Sequence, residues 1–230
     1  MSESRPTALI TGATRGIGRA IADALATTHH LLIGGRDTAA VARTVAELPS
    51  AEPFTCDLTD EDAVTAAVSA AGMDRLDVLV HSAGMVSFGR VADLPTQHWR
   101  DVLELNVVAP ATLTRLLLPA LRAAGGLVVF INSGAGLGTS RGFAAYSASK
   151  YGLLALTDAL RAEERGRLRV TSIHPGRVAT DMQAQLTALQ GIEYVPEAHL
   201  RPADVARTVR LAVDLPQDAT LDSLRINPIR

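Results

Sequence analysis

Residues 11–18 read TGATRGIG and lie between a short apolar run and a stretch of helical periodicity. Glycines permit a tight turn and let the backbone approach a phosphate, while a helix N-terminus supplies free N–H groups and a positive dipole end. The spacing of Gly12, Gly16 and Gly18 is not G-x-G-x-x-G, and no Gly-Lys-Ser/Thr follows, which excludes a nucleotide-triphosphate P-loop. Alone, such a turn fits either dinucleotide binding or tight packing of a helix on a strand.

Outward from this turn, short β-branched runs alternate with longer Ala- and Leu-rich stretches of helical period along the whole chain. The predicted strands are 7–11, 30–34, 53–57, 77–82, 127–133, 169–174 and 222–227. The predicted helices are 16–27, 38–48, 60–71, 97–122, 144–165 and 202–214. This alternation, with almost wholly apolar central strands, predicts an α/β fold: a Rossmann-like, doubly wound parallel sheet of about seven strands with helices on both faces. We find no repeat or linker, so residues 1–230 are expected to form a single domain.

Composition narrows the class of protein further. The 230 residues carry a net charge of −2 and are 47% hydrophobic, as expected for a globular protein with a full core. No basic tail suggests a nucleic-acid partner, and the single cysteine, Cys56, excludes a disulfide framework and a Cys-based zinc site, so no metal is expected. With no signal-like segment and no run of ~18 apolar residues, we expect a cytoplasmic protein without membrane partners.

Tyr146 and Lys150 stand four residues apart in a predicted helix, so their side chains share one face. A phenol titrates near ~10, and a neighbouring cation lowers its pKa by favouring the phenolate. A tyrosine tuned in this way can exchange a proton with a carbonyl or alcohol oxygen. The alternative is a surface lysine beside a half-buried tyrosine. Lys150 is, however, the only lysine in a chain that otherwise uses arginine, whose planar guanidinium does not reproduce a compact charge.

Taken together, these motifs resemble the short-chain dehydrogenase/reductase family, and the match runs to about residue 180. TGATRGIG is similar to the family's T-G-x-x-x-G-x-G turn, and Tyr146 with Lys150 matches its Y-x-x-x-K. Further matches are Asp57 after the third strand, HSAG at 81–84 in place of N-N-A-G, Asn106, Ser133, and PGRVAT at 175–180. The resemblance implies an oxidoreductase that moves a hydride between a nicotinamide cofactor and a carbonyl/alcohol substrate.

The resemblance also implies a site. Its catalytic residues would be Tyr146 as general acid/base, Lys150 on the nicotinamide ribose, Ser133 as donor to the substrate oxygen, and Asn106 holding a water that links the lysine to solvent. In isolation, Ser133 also fits a turn-forming serine, and Asn106 a helix kink beside Pro110. The implied cofactor-binding residues are Gly12, Thr14, Arg15, Gly16, Ile17, Gly18, Arg36, Asp57, Leu58, Ser82, Ala83, Gly84, Asn106, Tyr146, Lys150, Pro175, Gly176, Val178 and Thr180.

Several of these positions have a second interpretation. Thr180 could simply N-cap a following short helix. His81 and His174 lie on predicted central strands with no carboxylate or second histidine at ligand spacing, so core packing is favoured over metal binding.

The end of the second strand predicts which nicotinamide is bound. An acidic residue there would bind the ribose 2′-hydroxyl of NAD, but this strand closes with Gly34 and Gly35 before Arg36. Arg36 and Arg15 would suit a bidentate clamp on a 2′-phosphate, so NADP(H) is predicted over NAD(H). Asp37 either neutralises Arg36 or, as we favour, caps the next helix.

The sequence gives fewer signals for the substrate and for the oligomeric state. Residues 177–201 show no regular pattern, and in the family this segment covers the substrate. Its apolar residues, with Met85, Leu137 and Phe143, predict a small or medium carbonyl/alcohol of some hydrophobicity. The helices 97–122 and 144–165 resemble those of a family dimer interface, so a homodimer or homotetramer is expected. The rival function is a non-catalytic NADP-binding redox sensor, although such proteins usually lose the tyrosine or lysine.

Overall fold

A computed structural model of the chain describes residues 5–229, which form one parallel sheet covered by helices on both faces. The strands are β1 (Thr7–Ile10), β2 (His30–Gly35), β3 (Ala51–Thr55), β4 (Val78–His81), β5 (Leu127–Ile131), β6 (Arg169–Pro175) and β7 (Ser223–Ile226). They are ordered β3-β2-β1-β4-β5-β6-β7, and every neighbouring pair is parallel. The predicted doubly wound sheet is confirmed, with its order reversing between β1 and β4.

Eight α-helices accompany the strands in this part of the chain. They are α1 (Gly16–Leu25), α2 (Thr38–Ala46), α3 (Glu61–Ala71), α4 (Thr96–Leu103), α5 (Ala109–Ala124), α6 (Ala144–Glu163), α7 (Asp181–Gln190) and α8 (Pro202–Asp214). A π-helical turn at Glu104–Val108 joins α4 to α5, and 3-10 turns lie at Gly134–Gly136 and Pro196–Ala198.

Successive side chains of the central strands point to opposite faces of the sheet, and they form two cores, one on each face. In β1, Ile10 packs with α1 and α8, whereas its neighbour Leu9 packs with α5 and α6. Each fully buried leucine or isoleucine contributes about 1.5–3 kcal/mol relative to an exposed one. The two cores hold the carboxyl ends of the strands in fixed positions, and it is there that the loops carrying the candidate site begin.

Three predicted elements differ from the structure. The third strand begins two residues earlier than predicted, because β3 is an edge strand and tolerates Pro53 within it. The predicted helix 97–122 is interrupted by the π-helical turn. The segment 177–201, expected to be irregular, contains α7, which Thr180 caps by accepting from the N–H of Gln183 at 3.3 Å and which Gly191 ends at φ 67°. The capping interpretation of Thr180 is therefore confirmed.

The stretch Thr96–Ala124 is, within the described residues, long and apolar enough to cross a membrane by length and composition alone. A core helix has the same composition. This one contributes the fully buried Leu113, Leu117 and Leu121 to the core beneath β4 and β5.

Candidate active site

The glycine turn meets the loop after β4, because β1 and β4 are neighbours in the sheet. Gly12 has φ 64°, and a Cβ there would lie 2.9 Å from Cα of Ala83, so only glycine fits. Thr11 Oγ1 accepts from the backbone N–H groups of Ser82 and Ala83, at 3.0 and 3.1 Å. These contacts fix the two loops against each other at the point where strand order reverses, the usual ligand position in such sheets.

The N-terminus of α1 fits a dinucleotide pyrophosphate. A Cβ on Gly18 would lie 2.3 Å from the carbonyl oxygen of Gly12, so the helix can pack this closely only with glycine. The first turn of α1 has no side-chain cap and no acidic residue, which leaves its N–H groups and positive dipole end available to an anion. Across the same cleft, Thr180 Cγ2 would lie 3.4 Å from a Cβ at Gly16.

At the end of β2, the site lacks the carboxylate expected of an NAD-binding protein. Arg36 is exposed and forms no ion pair with the residues described. Asp37 instead caps α2, accepting from the N–H of Ala40 at 3.0 Å, as we expected. Asp57 accepts from the N–H and hydroxyl of Thr59, at 2.9 and 2.7 Å, and these bonds lower its pKa.

Arg15 adopts a different position from the one expected. Its guanidinium lies 3.8 Å from the carboxylate of Asp181 at the start of α7, and both side chains are more than 70% exposed. Exposed ion pairs contribute little free energy, so exchanging this partner for a phosphate costs little.

Tyr146 and Lys150 share one face of α6. The Lys150 side chain is buried, its Nζ donates to the carbonyl oxygen of Ile131 at 3.0 Å, and it lies 5.8 Å from the centre of the Tyr146 ring. Burial lowers the pKa of Lys150 to about 8. A Cβ on Gly84 would lie 3.9 Å from Nζ, so the lysine borders the loop after β4.

The pKa of Tyr146 is raised by burial, an effect only partly opposed by a hydrogen bond with Ser133. The expectation of a lowered pKa is therefore not met, and the Lys150 ammonium donates to the carbonyl oxygen of Ile131. At neutral pH Tyr146 is protonated and can act as an acid.

Ser133 follows β5 and is held by three groups. Its N–H donates to Oδ1 of Asn132 at 2.9 Å. Its Oγ accepts from the N–H of Ala135 at 3.1 Å, which is the turn role considered above and leaves the hydroxyl proton free to donate. Its carbonyl oxygen lies 3.1 Å from Nδ1 of His174. Because a carbonyl only accepts, Nδ1 carries the proton.

His174 is fully buried, as predicted for a core residue, and burial lowers its pKa. Sequence reasoning missed its second role, which is to anchor the Ser133 backbone. The cue was its position in β6, directly after Ile173, which pairs in register with Ile131 at the end of β5.

Asn106 occupies the π-helical turn, which confirms that the helix is distorted there. Its Oδ1 accepts from the N–H of Met85 at 2.9 Å, and its Nδ2 donates to Met85 O and to Ser149 Oγ, at 2.9 and 3.0 Å. Both N–H donors of the amide are thus used in tying the loop after β4 to α6, and Oδ1 keeps a second acceptor site. The water relay at this position stays a prediction.

His81 stands where the family has its first asparagine, and it links β4 to α5 by a side-chain hydrogen bond. Its Nε2 lies 2.8 Å from Thr114 Oγ1 in α5, and its ring stacks on Phe130 of β5 at 4.8 Å. Burial lowers its pKa to about 3, so the ring is neutral. The predicted packing role is confirmed.

Two of the four catalytic candidates, Ser133 and Tyr146, and part of the implied cofactor site line a cavity of about 470 Å³, whereas Lys150 and Asn106 are not in its lining. Its lining includes Ser133, Tyr146, Ile17, Pro175, Gly176, Val178 and Thr180, together with the apolar Phe143, Met182 and Leu186. Met85 and Leu137, expected near the substrate, are not in the lining, and Leu189 and Val195 are exposed. A larger groove of about 870 Å³ lies between α8 and the chain end and contains no catalytic candidate.

The remaining implied cofactor residues lie at the same edge of the sheet. Thr14 Cγ2 would lie 3.1 Å from a Cβ on Gly35, at the end of β2. Asp57 and Leu58 follow β3, and Ser82, Ala83 and Gly84 follow β4. These loop residues therefore lie at the carboxyl edge of the sheet, and their roles in cofactor binding stay predictions.

Comparison with known proteins identifies the class. Residues 6–191 match the short chain dehydrogenase family, and the chain belongs to that family of oxidoreductases. It is 33% identical over 234 residues to glycine betaine reductase of Emericella nidulans, covering 96% of this chain but only 18% of that protein. It is 37% identical over 194 residues to trans-4-hydroxycyclohexanecarboxylate dehydrogenase of Sinomonas cyclohexanicum, covering 78% of this chain and 74% of that protein.

A solved structure extends the similarity to three dimensions. The alcohol dehydrogenase of the archaeon Thermococcus sibiricus, complexed with 5-hydroxy-NADP, superposes with a TM-score of 0.90 at 25% identity. The alignment covers 98% of this chain and 97% of that one.

Proposed function

We propose that this protein is an NADP(H)-dependent oxidoreductase that interconverts a carbonyl and an alcohol, with Tyr146 exchanging the proton. The observation that carries the proposal is that Tyr146 and Ser133 line one cavity together with Ile17, which lies in the first turn of α1, a helix whose N-terminus has no side-chain cap.

When bound, the cofactor supplies a hydride for the carbonyl carbon, and the protein must supply a proton to the oxygen. Tyr146 is the acid, since burial keeps its hydroxyl protonated until negative charge develops on the substrate oxygen. Ser133, whose hydroxyl also bonds to Tyr146, donates to the same substrate oxygen and holds it toward Tyr146. Lys150 carries positive charge below its pKa of about 8, which stabilises the phenolate left after proton transfer.

The residues that would hold the cofactor follow the cleft edge. The α1 N-terminus with Gly12, Gly16 and Gly18 would take the pyrophosphate, and Ser82 to Gly84 with Pro175 to Thr180 would line the remainder. NADP over NAD is supported by Arg36, which is exposed at the end of β2 and forms no ion pair with the residues described. The Thermococcus relative bound to 5-hydroxy-NADP supports the same preference. The substrate would be a small carbonyl/alcohol compound covered by residues 177–201.

A homodimer or homotetramer is part of the proposal. Large apolar side chains remain exposed on the helices expected to form the interface, namely Leu103, Val108 and Tyr151. Light scattering of the purified protein would test this assignment.

The test of function is NADPH consumption with a panel of aldehydes, ketones and diketones. We expect turnover of at least one aldehyde, ketone or diketone. NADPH binding without turnover across a wide panel would instead favour a sensor.

A further inference from the structure

The cavity beside Tyr146 contains two arginines and no acidic residue. Arg177 follows Gly176 at the end of β6, and Arg225 lies on β7, paired in register with His174. Since the lining includes no aspartate or glutamate, its formal charge is positive before any ligand binds. Arg225 also lowers the pKa of His174, so its field reaches the residue that anchors Ser133.

Neither arginine has a partner among residues 5–229. No ion pair or side-chain hydrogen bond involves Arg177 or Arg225 there, whereas Arg19, Arg75 and Arg122 each have a carboxylate within 3 Å. Two arginines without partners that line one cavity give it positive charge, and this charge favours the binding of an anion there.

A buried donor lines the same cavity. Gln183 of α7 is 7% exposed, and its Nε2 has no hydrogen-bond partner in the described part of the chain. A buried N–H without an acceptor costs free energy that an acceptor on a ligand would recover. Carboxylate oxygens only accept hydrogen bonds, and guanidinium and amide N–H groups are the donors that recognise them.

We propose that the substrate is a keto acid or the corresponding hydroxy acid, whose carboxylate is bound by Arg225 and Arg177 with Gln183 as an additional donor. This proposal rests on the proposed function, because it assigns the charged end of a substrate whose carbonyl faces Tyr146. Arg177 also neighbours positions implied in cofactor binding, so a cofactor phosphate is the competing anion that an experiment must separate.

The experiment compares keto acids of increasing chain length with their uncharged primary amides, using NADPH and the full chain. For the wild type we expect kcat/KM to favour at least one acid over its amide by about tenfold. Arg225→Met should remove this preference while leaving amide turnover and the KM for NADPH within about twofold. Arg225→Lys should keep part of the preference, and Arg165→Met, an equal loss of charge on an exposed residue just after α6, should keep all of it. The preference should also shrink with added salt, because both cavity arginines are exposed.

Three results would overturn the inference. One is a wild type without preference for any acid. Another is an Arg225→Met protein that loses acid and amide turnover equally. The third is a variant whose main defect is a raised KM for NADPH, which would assign the arginine to the cofactor.

A binding measurement separates this inference from the proposed function. Hydroxy acids should raise the melting temperature of the NADP⁺-loaded wild type more than their amides, and Arg225→Met should lose the difference. Failure of every acid to bind would overturn the inference even if uncharged carbonyls are reduced. Binding of acids with no turnover of any compound would contradict the proposed function alone.

Discussion

The imidazole of His174 donates from Nδ1 to the carbonyl oxygen of Ser133 at 3.1 Å, linking a buried strand residue to a catalytic candidate. His174→Leu keeps the apolar bulk but removes the donor, so Ser133 should lose its position. We expect kcat to fall roughly tenfold, equivalent to about 1.4 kcal/mol, with little change in the KM for NADPH. His174→Asn, which can place an N–H near the position of Nδ1, should restore part of kcat. Equal activity of the Leu and Asn variants would argue against a positioning role.

Lys150 makes stability depend on pH in a defined window. Burial lowers its pKa from 10.5 to about 8, so between these values the unfolded chain binds more protons than the folded one, and stability rises with pH. The cost of burying the charge is fully present below about pH 8 and is relieved toward pH 10.5.

The comparison is between wild type and Lys150→Met without cofactor. As the pH rises from about 8 to 10.5, we expect the free energy of unfolding of the wild type to increase relative to that of Lys150→Met by on the order of 1–3 kcal/mol. Lys150→Arg, which stays charged throughout, should show no such change relative to Lys150→Met. A pH-independent difference in denaturant melts of all three proteins would show that the lysine is not desolvated.

Arg36 should decide cofactor choice. Arg36→Ala removes the exposed guanidinium at the end of β2 and should weaken NADPH binding by ~1.5–3 kcal/mol, with little effect on NADH. Dissociation constants from cofactor fluorescence would measure both, with Arg43→Ala on α2 as the charge-matched control. Equal losses for the two cofactors, or a wild type that prefers NADH, would contradict the assignment.

Glu164 stabilises the far end of α6. Its carboxylate is 4% exposed and accepts from Arg122 of α5 at 2.5 and 3.0 Å, which lowers its pKa below the ordinary 4.5. This contribution is present above pH 4.5 and is lost as pH falls through the lowered pKa. Glu164→Gln should reduce the free energy of unfolding by about 1 kcal/mol at neutral pH, discounted because Arg122 is 43% exposed.

The control for Glu164→Gln is Glu163→Gln, which makes the same substitution at the exposed neighbouring residue. It should change stability little, and the deficit of Glu164→Gln should shrink in acid. A deficit that persists unchanged at acidic pH would indicate a packing defect rather than a lost ion pair.

Much of the fold could be read from the sequence because its signals are local. Alternating strand and helix periodicity predicted the parallel sheet, and glycine spacing predicted the tight turn at Gly12. Asp37 and Thr180 were recognised as possible caps for the same reason. Helix α7 was missed although Thr180 and Gly191 bracket it, because its mixed composition gives no clear amphipathic period.

What could not be predicted depends on contacts between distant segments. The bonds from Asn106 to Met85 and Ser149 arise only after α4, α5 and α6 pack together. The raised pKa of Tyr146 required knowledge of burial, which outweighs the charge that spacing alone suggested. The meeting of Arg177 and Arg225 in one cavity depends on β7 pairing with β6 at the edge of the sheet.

The central claim is that Tyr146 supplies the proton, and Tyr146→Phe tests it most directly because only a hydroxyl is removed. The measurement is the rate of NADPH oxidation with a carbonyl substrate that the wild type turns over. Circular dichroism and NADPH affinity should match those of the wild type. We predict a fall in kcat of at least ~10²–10⁴-fold, the usual contribution of a general acid. A folded, NADPH-binding Tyr146→Phe protein that keeps a substantial fraction of the wild-type rate would contradict the account.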